Sequence, residues 1–223
     1  MRRFLTLVFV LVLAHVLANP AELLKKGAFE NAYEEALVFE DYVLAARAAS
    51  FVAIYRATDD RDRAAWFARA EKAARQAIQQ DPSNPEAHFE LARALGRLAQ
   101  YRGILQSLSL ASAVRDELKK TLKLKPDHAG ALVALALWHL ELSQKGVGWL
   151  YGADAGRVIP LFEKAIRLEP EAIIHRVEYA NALLRLGKKA AARKQLEVAL
   201  KLEPKDARDR LEQARARALL GQK

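Results

Sequence analysis

Apolar positions along this chain recur every three or four residues, in runs such as RAAWFARAEKAARQAI and PLFEKAIRLEP. No run of β-branched residues alternates in twos. A period near 3.6 predicts amphipathic helices, and the missing period of two predicts that no strand interrupts them. The runs consist of Ala, Leu, Lys, Glu and Arg, which cost least in a helix, while the sparse Gly and Pro stand between them. The expected class is all-α.

Four of these helices end alike. ARQAIQQDP closes at Pro82, LKKTLKLKP at Pro126, FEKAIRLEP at Pro170 and LEVALKLEP at Pro204. Proline cannot continue a helix and biases its predecessor toward extended backbone, so each ending is a firm stop. A new helix restarts after each of the first three, in SNPEAHFELARAL, DHAGALVALALWHL and EAIIHRVEYANALLRLG. Ser83 or Asn84 suits the N-cap of the first and Pro85 its opening position.

The last unit, Ile173 to Pro204, resembles a tetratricopeptide repeat, a helix–turn–helix of about 34 residues with small residues at the helix contact. Tyr179, Ala180 and Leu183 take the packing positions of its first helix (helix A). Gly187 and Lys188 make the turn, and Ala192, Leu196 and Ala199 take the positions of its second (helix B). Arg176 stands where that motif prefers Trp. The two preceding intervals are longer, 44 residues each between prolines. Each therefore carries an addition, GRLAQYRGILQSLSL or QKGVGWLYGADAG, expected near the turn from helix A to helix B. The resulting expectation is a right-handed α-solenoid of about four helix pairs. Leading helices fall over 20–58, pairs over about 43–82, 83–126, 127–170 and 171–204, and a capping helix over 205–220 with Leu211, Ala214, Ala218 and Leu219 inward.

From about Ala64 to Leu220 the chain also resembles the regulator of microtubule dynamics family. The resemblance rests on KAARQAIQQDPSNPEAHFELARAL, on YRGILQSLSLASAVRDELKKTLKLKPDHAGALVALALWHL, and on PLFEKAIRLEP after a Trp/Tyr loop. Leu135-Ala136-Leu137-Trp138 departs at one position from the family's Leu-Gly-x-Trp. The resemblance implies a repeat fold and a binding role. The microtubule function in the family's name is not carried over. A weaker resemblance, to periplasmic repeat lipoproteins that accompany solute transporters, lacks their lipid-bearing Cys.

The first residues change the setting. MRRFLTLVFVLVLAHVLA opens with two arginines before an apolar run, and Val16 and Ala18 fit the −3 and −1 positions of a signal-peptidase site. The apolar stretch of about 15 residues would span roughly 22 Å, short of a ~30 Å hydrocarbon core. Cleavage after Ala18 is expected over retention as an anchor, giving a mature domain of 19–223 that is periplasmic or secreted. Cleavage removes two arginines and no acid, lowering the net charge from +9 to +7. The late basic residues are interleaved with acids, as on a solvated helix face, so no nucleic-acid surface is expected. Membrane contact would come only from an uncleaved N-terminus or the basic C-terminal helices.

The sequence carries no catalytic constellation. With no Cys there is no thiol nucleophile, disulfide or zinc–cysteine site. His88, His128, His139 and His175 have no metal-ligand spacing. GVGWLYG lacks the preceding strand that a phosphate-binding glycine loop requires. No enzyme activity, cofactor or metal is expected. The alternatives for Trp149 and Tyr151 are tucking onto the solenoid or touching a partner.

What remains is the concave face. Applying the tetratricopeptide register places Phe89, Arg93, Val133, Leu137, Val177, Asn181 and Arg185 on it, with Glu86 and Ile174 beside them. Asn181 matches the asparagine of a peptide-carboxylate clamp, but Val177 occupies the place of its companion lysine. The expected function is a non-enzymatic scaffold or adaptor holding a protein or peptide partner in this groove. A small-ligand-binding accessory protein of a transport system is the alternative. Whether the groove is open or filled by the protein's own helices stays open at this level.

Overall fold

A computed structural model describes residues 18–101 and 104–221; the leader expected over 1–18 lies outside them but for Ala18. The described residues form twelve α-helices, one 3-10 turn and no strand. Two short leading helices, α1 (Pro20–Lys26) and α2 (Phe29–Val38), precede four helix pairs. The pairs are α3 (Tyr42–Tyr55) with α4 (Asp60–Gln80), and α5 (Pro85–Leu98) with α6 (Ile104–Leu124). Then come α7 (Ala129–Gln144) with α9 (Val158–Leu168), and α10 (Ile173–Arg185) with α11 (Lys189–Lys201). Between α7 and α9 lie α8 (Gly148–Tyr151) and the 3-10 turn Ala155–Arg157, and α12 (Ala207–Gly221) ends the described chain.

Local chemistry sets the starts. Asn19, Asp41, Asp59 and Asn84 each accept a backbone N–H at a helix N-terminus, satisfying donors that no earlier turn can reach. Pro85 occupies the first turn of α5, where its missing N–H costs nothing. The additions in the two long repeats are handled differently. The first lengthens helix B, so that α6 runs 21 residues; the second folds into α8 and the 3-10 turn.

Alanine brings the helices together. Ala45, Ala46 and Ala49 of α3 are fully buried, as are Ala70 and Ala74 of α4 and Ala94 of α5. In the last pairs Ala165, Ala180, Ala192 and Ala199 are fully buried in one cluster with Phe162, Leu183 and Leu196. Phe162 of α9 stacks on Tyr179 of α10, ring centroids 4.9 Å apart, carrying the core from one pair into the next. Trp138 satisfies its buried indole N–H on the Ala111 carbonyl at 2.8 Å.

The stack closes on itself. Leu211 of α12 packs against the cluster of Phe29, Phe51 and Val52 from the first helices. A methyl group added at Gly27, in the left-handed region at φ 87°, would meet the Ala207 side chain at 2.8 Å, so only glycine lets α1 and α12 approach this closely. This corrects the capping register. Ala214 and Ala218 are exposed, whereas Glu212, Gln213 and Ala216 are buried. The reason is that α12 is sandwiched between α10–α11 and the leading helices, rather than covering an end with one apolar face.

Candidate partner-binding groove

Helices α3, α5, α7 and α10 face inward and, with α1 and α12, surround a concave cavity of about 550 Å³. Phe89, Arg93, Val133, Leu137, Asn181 and Arg185 line it, as the repeat register requires. Val177 does not; it is fully buried in the core. On α10 the cavity-lining residues are Ile174, His175, Glu178, Asn181 and Arg185, while Val177 belongs to the core cluster that α10 shares with its neighbouring helices. Trp149 and Tyr151 lie away from the groove and part company. Trp149 is 83% exposed, while Tyr151 packs on the central core and its carbonyl accepts from Arg115 Nη1 at 3.1 Å.

The walls mix apolar and charged side chains, and the groove is not filled by the described residues. Phe89, Leu137 and Ile174 are only half-buried, with Leu24 of α1 and Ile54 of α3 contributing further apolar surface. Between these lie charged groups in a network the sequence did not reveal. Glu90, with no exposed surface, accepts from Arg47 Nε at 2.8 Å and pairs with Arg93. Arg47 reaches Glu86 as well, Nη2 to Oε2 at 3.0 Å. The Arg93 guanidinium sits between two rings, 5.3 Å from Phe51 and 5.7 Å from Phe89, geometry that suits a cation against π faces. Burial pushes its pKa down, with Glu90 opposing.

A second group spans the far side. Glu178 of α10 is buried and accepts from Arg215 of α12 at 2.7 Å, with Arg97 of α5 at 3.6 Å. Burial raises its pKa, but Arg215 and Arg97 outweigh that and leave it lowered. Glu212, also buried, accepts from the Tyr55 hydroxyl at 2.5 Å, and its carboxyl is pushed up by burial. At the mouth, His128 accepts the Ala131 N–H on Nδ1 and turns Nε2 toward Glu86 at 3.2 Å. That neighbour holds the Glu86 carboxyl down to about 2 against the opposing effect of burial.

Glu90 and Glu178 occupy equivalent repeat positions, each followed two residues later by alanine and five later by leucine in ELARAL and EYANAL. Recurrence of a carboxylate at one inward register is the signal that could have found them. It is easily passed over because charged residues on amphipathic helices usually face water. His88 pairs with Glu117 and His175 with Glu169, each with a single carboxylate, and among the described residues no group of three or more ligands could hold a metal ion.

Residues 18–151 match the family described as Regulator of microtubule dynamics protein 1-3. Among solved structures, TTC0263, a thermophilic TPR protein in Thermus thermophilus, superposes with a TM-score of 0.66 at 17% identity, covering 89% of this chain and 95% of that one. A crystal structure of MamA gives a TM-score of 0.45 at 17% identity over 89% of this chain and 98% of its own. No curated protein matches. A tetratricopeptide-like helical stack is thus common to this chain and TTC0263, and the family match over most of the leading and central helices shows that the chain belongs to the regulator of microtubule dynamics protein 1-3 family.

Proposed function

We propose that this protein is a non-enzymatic adaptor of the cell envelope that holds a segment of a protein partner in its concave groove. The observation that carries the proposal is the partly exposed apolar wall of Phe89, Leu137 and Ile174 inside a concavity edged by charge. Such a surface is expensive to leave wet and has the form that accepts an amphipathic helix or an extended peptide. The envelope assignment rests on Arg2-Arg3, the apolar run after them and the Val16/Ala18 spacing.

Partner capture from envelope extract with the mature chain tests this directly. Leu137→Arg, on the cavity wall, is expected to abolish retention with helicity unchanged, while Val198→Arg on exposed α11 surface leaves it intact. Equal retention by both variants overturns the groove as the binding surface.

Enclosure of the cavity by α1 and α12 favours a second reading, a small-ligand accessory protein, since about 550 Å³ lies in the range of small-molecule pockets. Native mass spectrometry of gently purified protein separates the two. A stoichiometric added mass supports the ligand, and a clean apo mass supports the adaptor.

A further inference from the structure

Around the ring of inward helices, every packed junction but one follows the chain order, and the Arg97–Glu178 ion pair at 3.6 Å reaches across from α5 to α10. Helix A of one repeat passes through its helix B to helix A of the next, across alanine-faced interfaces. The exception is where α12 meets α1 and α3. We infer that this seam is the gate of the ring, parting α12 from the leading helices to admit the groove's partner from the side.

Few contacts hold the seam. Among the described residues they include the Tyr55 hydroxyl on Glu212 at 2.5 Å, the Arg208 guanidinium 5.8 Å from the Phe51 ring centroid, Leu211 on the Phe29–Phe51–Val52 cluster, and Ala207 against Gly27, with the longer Arg97–Glu178 pair at 3.6 Å tying α5 to α10 beside them. The other side of α12 is held differently. The Gln213 amide donates to the carbonyls of Ala199 at 3.2 Å and Leu202 at 2.8 Å, Ala216 is fully buried against α10–α11, and Arg215 bonds Glu178. Helix α12 therefore belongs mechanically to the C-terminal pair.

Two further features make the seam the place to open. Glu212 is a buried carboxylate that shares Arg215 with Glu178. When the seam parts, Glu212 reaches water while Arg215 keeps Glu178, so rehydration of one charge offsets the hydrogen bond lost to Tyr55. The seam is also a wall of the cavity, with Leu24, Phe51 and Tyr55 lining one edge and Asp206 and Arg208 the other. Parting it opens the cavity sideways, so that the middle of a partner chain enters without being threaded from an end. The role in admitting a partner rests on the groove as binding surface; the motion does not.

The chain has no Cys, so introduced pairs are unique labelling sites. Spin labels at Lys26→Cys and Arg210→Cys report the seam by pulsed dipolar spectroscopy, and a pair at Lys201→Cys and Ala214→Cys reports the seating of α12 on α11. Combining Tyr55→Phe with Leu211→Ala is expected to add a longer distance at the seam and leave the second pair unchanged. The same variant should accelerate reaction of a Leu137→Cys thiol with a bulky maleimide several-fold, with little change toward iodoacetamide. Tyr55→Phe alone serves if the double variant loses helicity. A seam distance that stays short and single, or lengthening of the reference pair to the same extent, overturns the gate. A seam that opens in a protein whose Leu137→Arg variant still holds its partner leaves the gate standing and removes the groove instead.

Discussion

The last two helix pairs solve one packing problem with different connections. In α10–α11 the reversal takes Gly187 alone in the left-handed region, φ 75°, and the next helix begins at Lys189. In α7–α9 thirteen residues separate the helices, yet Ala136 and Ala165 are as fully buried as Ala180 and Ala199, and all four belong to one cluster. The extra residues fold outside that interface. The Ala153 N–H returns to the Gly148 carbonyl at 2.8 Å, the Asp154 N–H to His139 Nδ1 at 3.0 Å, and the Gly156 N–H to the Asp154 carboxylate at 2.8 Å. Interface chemistry is fixed by the need to bring backbones close, whereas the connection only has to satisfy its own polar groups.

Breaking the shared interface should cost most. Phe162→Ala removes a fully buried ring stacked on Tyr179 and is expected to lower stability by about 3–5 kcal/mol in urea unfolding. Ala199→Leu overfills the α10–α11 contact and should cost about 1–3 kcal/mol by the same measurement. Asp154→Ala removes only the internal tie of the inserted turn, at about 1 kcal/mol, and Trp149→Ala, at 83% exposure, should stay within about 0.5 kcal/mol. If the two interface changes prove no costlier than the two insertion changes, the distinction between interface and connection fails.

The starts of the two A helices sharpen the same contrast. Helix α7 is capped by His128, which also faces Glu86, whereas α10 has no side-chain cap and His175 leans on Glu169 at 2.9 Å. The Glu86 carboxyl has a folded-state pKa of about 2, below its ordinary value of 4.5. A depressed carboxylate stabilises above its unfolded pKa, and that contribution is lost as pH falls from about 4.5 through about 2. Glu86→Gln should therefore destabilise more at pH 7 than at pH 3, as read by the gap in unfolding midpoints. A constant gap contradicts the pairing.

Helix ends and the small-residue stripe are plain in the sequence because proline stops and alanine spacing act locally and repeat. Ring closure is not, since it joins residues as far apart as Tyr55 and Glu212 through side chains that look like ordinary surface groups. For the same reason Glu212 cannot be told from a solvated carboxylate, Glu90 and Glu178 are marked only by their recurrence at one register, and an apolar inward face is expected of the cap where buried polar groups stand. Six of the seven groove residues line the cavity because the A-helix register carries over between repeats. Val177 fails because α10 presents its stripe through Glu178, a position an apolar pattern does not mark.

The central claim is that the concave face, and not the convex one, holds the partner. A photo-crosslinking residue placed singly at Phe89, Leu137 and Ile174, and at Lys72, Lys164 and Lys194 on the B helices, tests it most directly. The account predicts adducts with one partner from the first three positions, all lost when the seam is locked shut by a Lys26→Cys/Arg210→Cys crosslink, and none from the B helices. Adducts from the B-helix positions with none from the groove would contradict it.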